Sequence, residues 1–474
     1  MAFTHGVYTQ ELPTPVYAMR EVDSALPFVV GTAPVHNLSA DKSAPLNEPK
    51  LLFNFKQFVE TFGGVGDSEN EADFTLSEFA RIFFTLYNMG PVVFVNVLDP
   101  ANHTTSVTDE TKTFEDDEIS APGLISGTVT VTSSDGSTTY EEGTDYEVDP
   151  VKNKIVRLED GTITSGEEVQ LSYDKIDPSA VVAEDIVGGV DSSTGDRTGL
   201  EIIENVFPEF GKIVGLVLAP GYSYESTVAT AMISKAELIN EHFRAMAYID
   251  IDPTNTTSSD AVTFKQDYSS PHAVFFWPKA KASEDKEEWL SSHAAGLTAK
   301  VDFNNGGVPF ESPSNKTLRV VGPAVTMPLQ ECNYLNEQGI TTLMRMFSGW
   351  KLWGNRTSAF PGNTDIKDSF IPTRRMANFI ENNLIVNTWQ KVDNPMNTRL
   401  IESVTDTTNI YLNGYVGRDM LLGARVGFLK EENPDTDLSN GIIRIHIWYL
   451  APPPAETIEF LLEVDTSYFS NLFE

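Results

Sequence analysis

"KIVGLVLAPG" (212–221) decides the fold class. Its apolar run, interrupted only by Gly215 and closed by a Pro-Gly turn, reads as a buried strand. "STVATAMISKAELIN" (226–240) follows with helical character. "AMAYIDID" (245–252) and "HAVFFWP" (272–278) are strand-like again, and "SEDKEEWLSSHAAGLTAKV" (283–301) is predicted helical, at least at its start. Upstream, "ALPFVVGTAP" (25–34) and "PVVFVNVL" (91–98) read as buried strands. Between them "DFTLSEFARIFFTLYNMG" (73–90) is an amphipathic helix carrying Phe79, Ile82, Phe83 and Leu86, with Asp73 or Thr75 as its cap and Gly90 as its end. Strands alternating with helices imply a mainly parallel sheet with both faces covered.

Residues 101–180 break this rhythm. "GTVTVTSSDGSTTY", "YEVDPVKNKIVRL" and "EEVQLSY" are short Thr- and Val-rich segments separated by DG or DP turns, which predicts a small all-β domain inserted into the α/β one. After about residue 365 a third pattern begins: a helix near "RRMANFIENNLI" (374–385), another near "GYVGRDMLLGARVGF" (414–428), and strands at "GIIRIHIWYL" (441–450) and 457–464. This is a small α+β domain. The predicted organisation is therefore an N-terminal arm (1–24), an α/β core (25–100 and 181–364), the β insertion (101–180), a C-terminal α+β domain (365–450) and a C-terminal arm (451–474).

The two ends are unusual. "GVYTQELPTPVYAMREVDS" (6–24) has no helical period, two prolines and too few apolar residues for a core, so it reads as an extended arm. At the other end, three prolines precede "AETIEFLLEV" (455–464). Ile458, Phe460, Leu462 and Val464 alternate with Thr457, Glu459, Leu461 and Glu463, the pattern of a half-buried strand. Two readings are open at this point: a last edge strand of the chain's own sheet, or a strand that a stiff proline spacer holds out for another subunit.

Composition narrows the function. Hydrophobic residues make up 41% and charged residues 21% of the 474, which is ordinary for a core-forming globular protein. The net charge of −35 excludes wrapping of nucleic acid, which needs a basic surface, and repels anionic membranes. Any self-assembly must overcome that repulsion, and salt should ease it. The charge is uneven: residues 101–185 hold 20 acids and 5 bases, residues 365–474 hold 16 and 9. The insertion is thus expected at the surface, and the C-terminal region in a packed interior or against an acidic partner. No run of about 18 apolar residues is present to span a membrane. "MAFTHGVYTQ" has neither the basic nor the apolar part of an export signal. The single cysteine, Cys332, allows no internal disulfide and reads as a small buried hydrophobe.

No chemistry motif stands out. GxxxxGK[ST], GxGxxG after a strand, HExxH and CxxC are all missing, the seven histidines are scattered, and "EDDE" (115–118) lacks the spacing of a Ca²⁺ loop. "SSHAAG" (291–296) invites a hydrolase reading, but a Ser/His pair needs separate segments brought together, and no G-x-S-x-G elbow occurs. No catalytic residue, metal or cofactor is expected. An α/β hydrolase with an accessory β domain is the first rival reading; a secreted adhesin or surface-layer protein is the second, and it should carry an export signal.

From "SSHAAGLTAKVDFNNGGVPFESPSN" (291–315) onward the chain resembles contractile-tail sheath proteins. The matching positions are Ser291, His293, Ala295, Gly296, Asp302, Gly307, Pro313 and Asn315. "LNEQGITTL" (335–343), "WGNRT" (353–357), "RRMANFIENNL" (374–384) and the opening "GVYTQEL" are similar to the family's segments in the same order. Where relatives carry Phe-Glu-Pro-Asn, this chain has "VDNPMN" (392–397).

The resemblance implies a structural subunit, not an enzyme. It implies a non-catalytic, subtilisin-like α/β core. It implies hexameric rings stacked helically around a tail tube, and concerted contraction that drives the tube through a host envelope. The implied partners are other copies of the chain, the tail tube protein, and baseplate and tail terminator proteins. The implied location is the virion tail, assembled in the host cytoplasm; a phage-derived bacteriocin or another contractile injection system is the alternative setting. Donated strands would come from Gly6, Val7, Tyr8, Thr9, Gln10, Glu11 and Leu12, and from Ile458, Phe460, Leu462 and Val464. By family analogy Arg374, Arg375, Arg399, Arg418, Arg425 and Lys430 would meet an acidic tube.

Overall fold

In a computed structural model, residues 21–39, 42–66, 69–255 and 257–472 are described. The arm segment Gly6–Leu12 lies outside them. The chain opens with strand β1 (Pro27–Gly31), strand β2 (Lys50–Leu52) and helix α1 (Phe55–Phe62), whose N-cap Asn54 accepts from the Gln57 amide. Helix α2 (Thr75–Ala80) continues as a π-helical turn over Arg81–Leu86, and strand β3 (Val92–Asn96) follows. Neither Asp73 nor Thr75 caps α2, and the helical run ends before Gly90. Phe74 is the N-cap, while Thr75 exchanges hydrogen bonds with Thr32 at the end of β1. The hydroxyl is used to tie helix to sheet instead.

The insertion contains strands β4 (Thr104–Thr113), β5 (Glu118–Ser120), β6 (Thr130–Ser133), β7 (Thr139–Tyr140), β8 (Tyr146–Asp149), β9 (Lys154–Arg157) and β10 (Glu168–Ile176). They form two antiparallel sheets, ordered β4-β10-β6-β7 and β5-β9-β8. Phe114, Leu124, Val131, Ile155 and Leu171 give the insertion a core of its own.

The α/β part resumes with helices α3 (Ala183–Val187) and α4 (Ile203–Phe210), strand β11 (Leu216–Leu218), helix α5 (Ser226–Glu237), strand β12 (Met246–Asp250), helix α6 (Ser258–Lys265) and strand β13 (Ala273–Phe276). Short strands β14 (Ala280–Lys281) and β15 (Glu287–Glu288) precede helix α7 (Leu290–Asn304). Here the expectation for 283–301 is corrected: its start is not helical and its later part is. Acidic 283–288 lacks an apolar face, while 290–304 is buried nearly throughout. Strand β16 (Gly322–Pro323), helix α8 (Leu329–Glu337), and strands β17 (Ile340–Met346) and β18 (Gly349–Trp353) complete this part.

The central sheet runs β18-β17-β13-β12-β11-β1-β3-β2, parallel except for antiparallel β18 and β2 at its edges. Alternation along each strand sends side chains to two cores. Phe28, Val30, Val93, Val95, Val217, Ile249 and Phe275 enter one; Val29, Phe94, Leu216, Leu218, Tyr248, Val274 and Phe276 enter the other.

Helix α7 explains why "SSHAAG" is buried rather than catalytic. Its first amides meet two carboxyl groups: Trp289 N donates to Glu78 (3.0 Å), and Ser291 N donates to Asp250 (3.0 Å) at the end of β12. Ser291 Oγ donates to the same Asp250 at 2.5 Å, whereas His293 Nε2 pairs with Glu288 at 2.9 Å. Ser291 is 1% exposed and His293 is not exposed at all. Gly296 packs against Tyr87, where a Cβ would lie 2.5 Å from the ring. Gly296→Ala gains about 1 kcal/mol of helix propensity but forces the Tyr87 ring aside at about 1–3 kcal/mol. The expected result is a net loss, read as a lower melting temperature.

Burial pushes the Glu78 carboxyl up to about 8. The folded chain therefore holds a proton that the unfolded chain releases near its ordinary value. This group's contribution to stability falls as pH rises from about 4.5 to 8. Glu78→Gln should flatten that part of the profile and raise the melting temperature at pH 8.5. Thermal melts at pH 5 and 8.5 check it, and an unchanged difference between the two would count against a protonated Glu78.

Candidate assembly interface

The C-terminal region is built on helix α9 (Ile366–Ser369), helix α10 (Ile371–Thr388), helix α11 (Thr398–Val416), strand β19 (Gly423–Gly427), helix α12 (Asp435–Ser439) and strand β20 (His446–Leu450). The predicted helix over 414–428 is corrected: α11 ends at Val416, a turn follows, and 423–427 is a strand. Gly423 and Gly427 disfavour a helix there, and Ala424 and Val426 alternate with Arg425. Sequence reading missed α11, whose polar, Thr-rich surface blurs the apolar period; Asn397 caps it by accepting from the Leu400 amide at 2.9 Å.

Strands β19 and β20 form an antiparallel pair with Arg425 opposite Trp448 and Gly427 opposite His446. Among the described residues no third strand joins either edge. One face of the pair, with Ala424, Val426, Ile447 and Tyr449, packs on a core of Met376, Phe379, Ile380, Leu412 and Tyr415. A two-stranded sheet is marginal alone, and its edges are unpaired donors and acceptors.

Both arms leave from pinned roots. Near the N-terminus, Val22 N donates to Asn383 (3.1 Å), and the Glu21 carboxylate bonds the Tyr415 hydroxyl (2.9 Å). At the C-terminus, Pro452–Thr457 forms part of the wall of an open groove of about 700 Å³, together with Phe310, Trp353 and Arg356. Arg356 donates twice to Glu456 (3.1 and 2.6 Å) while its guanidinium stacks on Phe370 at 3.7 Å. Beyond this clamp the chain has no regular structure until Thr466. Ile458, Phe460, Leu462 and Val464 are 72%, 82%, 95% and 91% exposed. The first of the two open readings, a last strand of the chain's own sheet, therefore does not hold within this chain: 457–464 pairs with nothing among the described residues.

Residues 210–358 match the family model of the phage tail sheath protein central domain. The tail sheath protein of Burkholderia phage BcepMu is 31% identical over an alignment of 500 positions that covers 99% of this chain and 98% of that one. The chain belongs to the phage tail sheath family. Its relatives are structural proteins, and it is a structural tail protein rather than an enzyme. Two solved structures share its fold at 16% identity and a TM-score of 0.60. They are the sheath complex of the extracellular contractile injection system PVC in the contracted state, matched over 99% of both chains, and the helical sheath of the anti-feeding prophage in the contracted state, matched over 97% of this chain and 99% of that one.

Two of the six cations expected at the tube are misplaced for it in this sheath chain. Arg374 and Arg375 are 4% and 3% exposed. Arg374 pairs with Asp368 and Glu381, both at 3.1 Å, and Arg375 grips Asp302 with two bonds, of 3.0 and 2.5 Å. A buried guanidinium requires such partners, so the Arg-Arg motif holds the C-terminal helix to the core instead. Arg399, Arg418, Arg425 and Lys430 are exposed. Arg418 lies 3.9 Å from Glu21 and stacks on Tyr415, and Arg425 stacks on Trp448 at 3.8 Å. Sequence reading named Asp302 only as a matching position and quoted Arg356 only within "WGNRT", without the role of either, and it missed strand β19. The first two sit in the family-like segments "SSHAAGLTAKVD" and "WGNRT", which were the available signal.

Among the described residues no group of three or more His, Cys, Asp and Glu is placed to hold a metal, and no helix is long and apolar enough to cross a membrane.

Proposed function

We propose that this chain polymerises as stacked hexameric rings around a tail tube and contracts to drive the tube through a host envelope. The observation that carries this is the pairing of an exposed, alternating apolar arm with a two-stranded sheet that has free edges. Each arm adds a strand to a neighbour's sheet: main-chain hydrogen bonds supply affinity, and the alternation fixes register. A head-to-tail contact of this kind does not close on itself, so it propagates as a helix. The N-terminal segment Gly6–Leu12 completes the mesh. Arms rooted at Val22 and Glu456 let the subunit bodies rotate and move outward while tethered, as a change between two lattices needs.

In this reading the α/β part (25–100 and 181–364) is a subtilisin-like scaffold without its chemistry. The acidic insertion (101–180) decorates the outside, and the C-terminal domain (365–450) lines the inside between arms 1–24 and 451–474. Arg399, Arg418 and Lys430 face an acidic tube protein; baseplate and terminator proteins meet the ends. Assembly takes place in the host cytoplasm and the product is the virion tail. The fold shared with the PVC and anti-feeding prophage sheaths keeps a contractile injection system or bacteriocin as the alternative setting.

The test is negative-stain electron microscopy of the purified chain at raised salt, alone and with the tube protein from the same gene cluster. Striated cylinders wider than a bare tube are expected; dispersed chain under both conditions would overturn the proposal. A further expectation concerns the tube: reversing charge at Arg399, Arg418 and Lys430 together should leave the fold intact and abolish co-assembly. Undiminished co-assembly would remove these residues from the tube contact.

A further inference from the structure

The arm's second face carries an anomaly. Three of its four residues, Thr457, Glu459 and Glu463, are polar, yet Leu461 sits between the two acids and is 88% exposed. The receiving hairpin has a matching irregularity. Its face away from the core carries Trp448, half-buried, at the centre of β20, with His446 and Leu450 two residues to either side. The Trp448 ring stacks with His446 at 3.9 Å and with the Arg425 guanidinium at 3.8 Å. Gly423 and Gly427 flank Arg425 on β19, which leaves that guanidinium uncrowded by strand neighbours. His446 is held by Glu432 at 2.6 Å, but Arg425 forms no ion pair among the described residues. Trp and Arg are frequent anchors of protein interfaces, and this half-buried Trp carries an exposed Arg on its ring.

We infer that the outer face of β20 fixes the register of a neighbouring copy's arm, with Leu461 opposite Trp448 and the acids Glu459 and Glu463 on either side of it, one of them on Arg425. This rests on the strand-donation reading above. In that register Ile458, Phe460, Leu462 and Val464 extend the apolar face of Ile447 and Tyr449 over the C-terminal core, so both faces match at once. The pattern acid-apolar-acid meets a ring flanked by a cation. A slip of two residues keeps the apolar face buried but replaces Leu461 with a carboxylate against the indole and moves Leu461 off the ring. A slip of one buries the acids. Its own β20 is barred to the arm, because Pro452–Pro454 and the Arg356–Glu456 clamp carry it away directly after Leu450. Arg425 is thereby assigned to the sheath mesh rather than to the tube.

The register is read by cross-linking full-length chain assembled with tube protein. Opposite residues of a ladder have Cβ atoms about 4.5–5.5 Å apart, and a small local shift brings them to the roughly 3.5–4.5 Å that a disulfide spans. Leu461→Cys with Trp448→Cys should give, on oxidation, a ladder of dimers and higher multiples on a non-reducing gel; Cys332, 1% exposed, stays out of it. Leu461→Cys with Tyr449→Cys, on opposite faces, should give none. Cross-linking by the Tyr449 pair, or by neither pair in chain that assembles, would overturn the register. If the cysteine variants do not assemble, charge decides. Arg425→Glu should lower the assembled fraction several-fold, and adding Glu459→Arg and Glu463→Arg should restore it; no restoration would overturn the pairing. A chain lacking residues 456–474 that still forms sheaths would instead take down strand donation itself.

Discussion

Arg375→Ala is expected to lower the stability of the dispersed chain by about 3–5 kcal/mol, a large share of the roughly 5–15 kcal/mol that holds a typical domain folded. The guanidinium is buried and grips Asp302 of α7, and it also donates to the Ser24 carbonyl at 3.2 Å. Ser24 Oγ in turn donates to Asp302 at 2.6 Å. One side chain thus ties α10 of the C-terminal region to a core helix and to the root of the N-terminal arm. Removing it leaves an unpaired buried carboxylate. Arg375→Lys should cost less, because a single ammonium keeps the charge but cannot make both bonds to Asp302 and reach Ser24. Arg375→Met with Asp302→Leu should recover part of the loss, since it removes the orphaned charge along with the pair. Urea melts of the four chains measure this. A cost below about 1 kcal/mol for Arg375→Ala, the range of exposed pairs, would show that the pair does not join the regions.

The α/β core was legible in the sequence because its strands are buried on both faces. "ALPFVVGTAP", "PVVFVNVL" and "HAVFFWP" are near-continuous apolar runs, and in the sheet Phe28 and Val29, or Val93 and Phe94, enter opposite cores. Periodicity failed where burial is one-sided and short. In "GYVGRDMLLGARVGF" the apolar residues suit a helix, but only tertiary pairing to β20 shows that Arg425 and Val426 lie on opposite faces of a strand. The arginines failed for a different reason. Net charge says that cations are scarce, not whether each is satisfied inside. Asp302, the partner of Arg375, is 73 positions away in the chain, and no spacing rule links them. The alternation of 457–464 was visible because a period of two needs no partner to be seen, and the segment is exposed with no regular structure. Strand β19 was not, because a five-residue segment bounded by Gly423 and Gly427 pairs only with β20 and carries a weak signal of its own.

Removal of residues 456–474 should leave a folded chain that forms no sheath. The first half follows from what the segment touches. The bond from Glu456 to Arg356 is a partly exposed ion pair contributing about 0–1 kcal/mol, and residues 458–464 are exposed. The melting temperature should therefore move little. The second half follows from what the segment offers. Burying Ile458, Phe460, Leu462 and Val464 on a neighbour yields roughly 1.5–3 kcal/mol each before the costs of association. The backbone of the added strand also satisfies one row of unpaired groups on the hairpin. That gain must outweigh the repulsion between subunits that each carry a net charge of −35. Phe460→Asp with Leu462→Asp should reproduce the loss in a full-length chain, by driving charge onto the face that must be buried. Raised salt should favour intact chain but rescue neither variant, because screening weakens repulsion without restoring the apolar face. Electron microscopy and sedimentation of the three chains, each with tube protein, decide it. Normal sheaths from the truncated chain would mean that subunits are joined elsewhere, and the alternation of 457–464 would then need another partner.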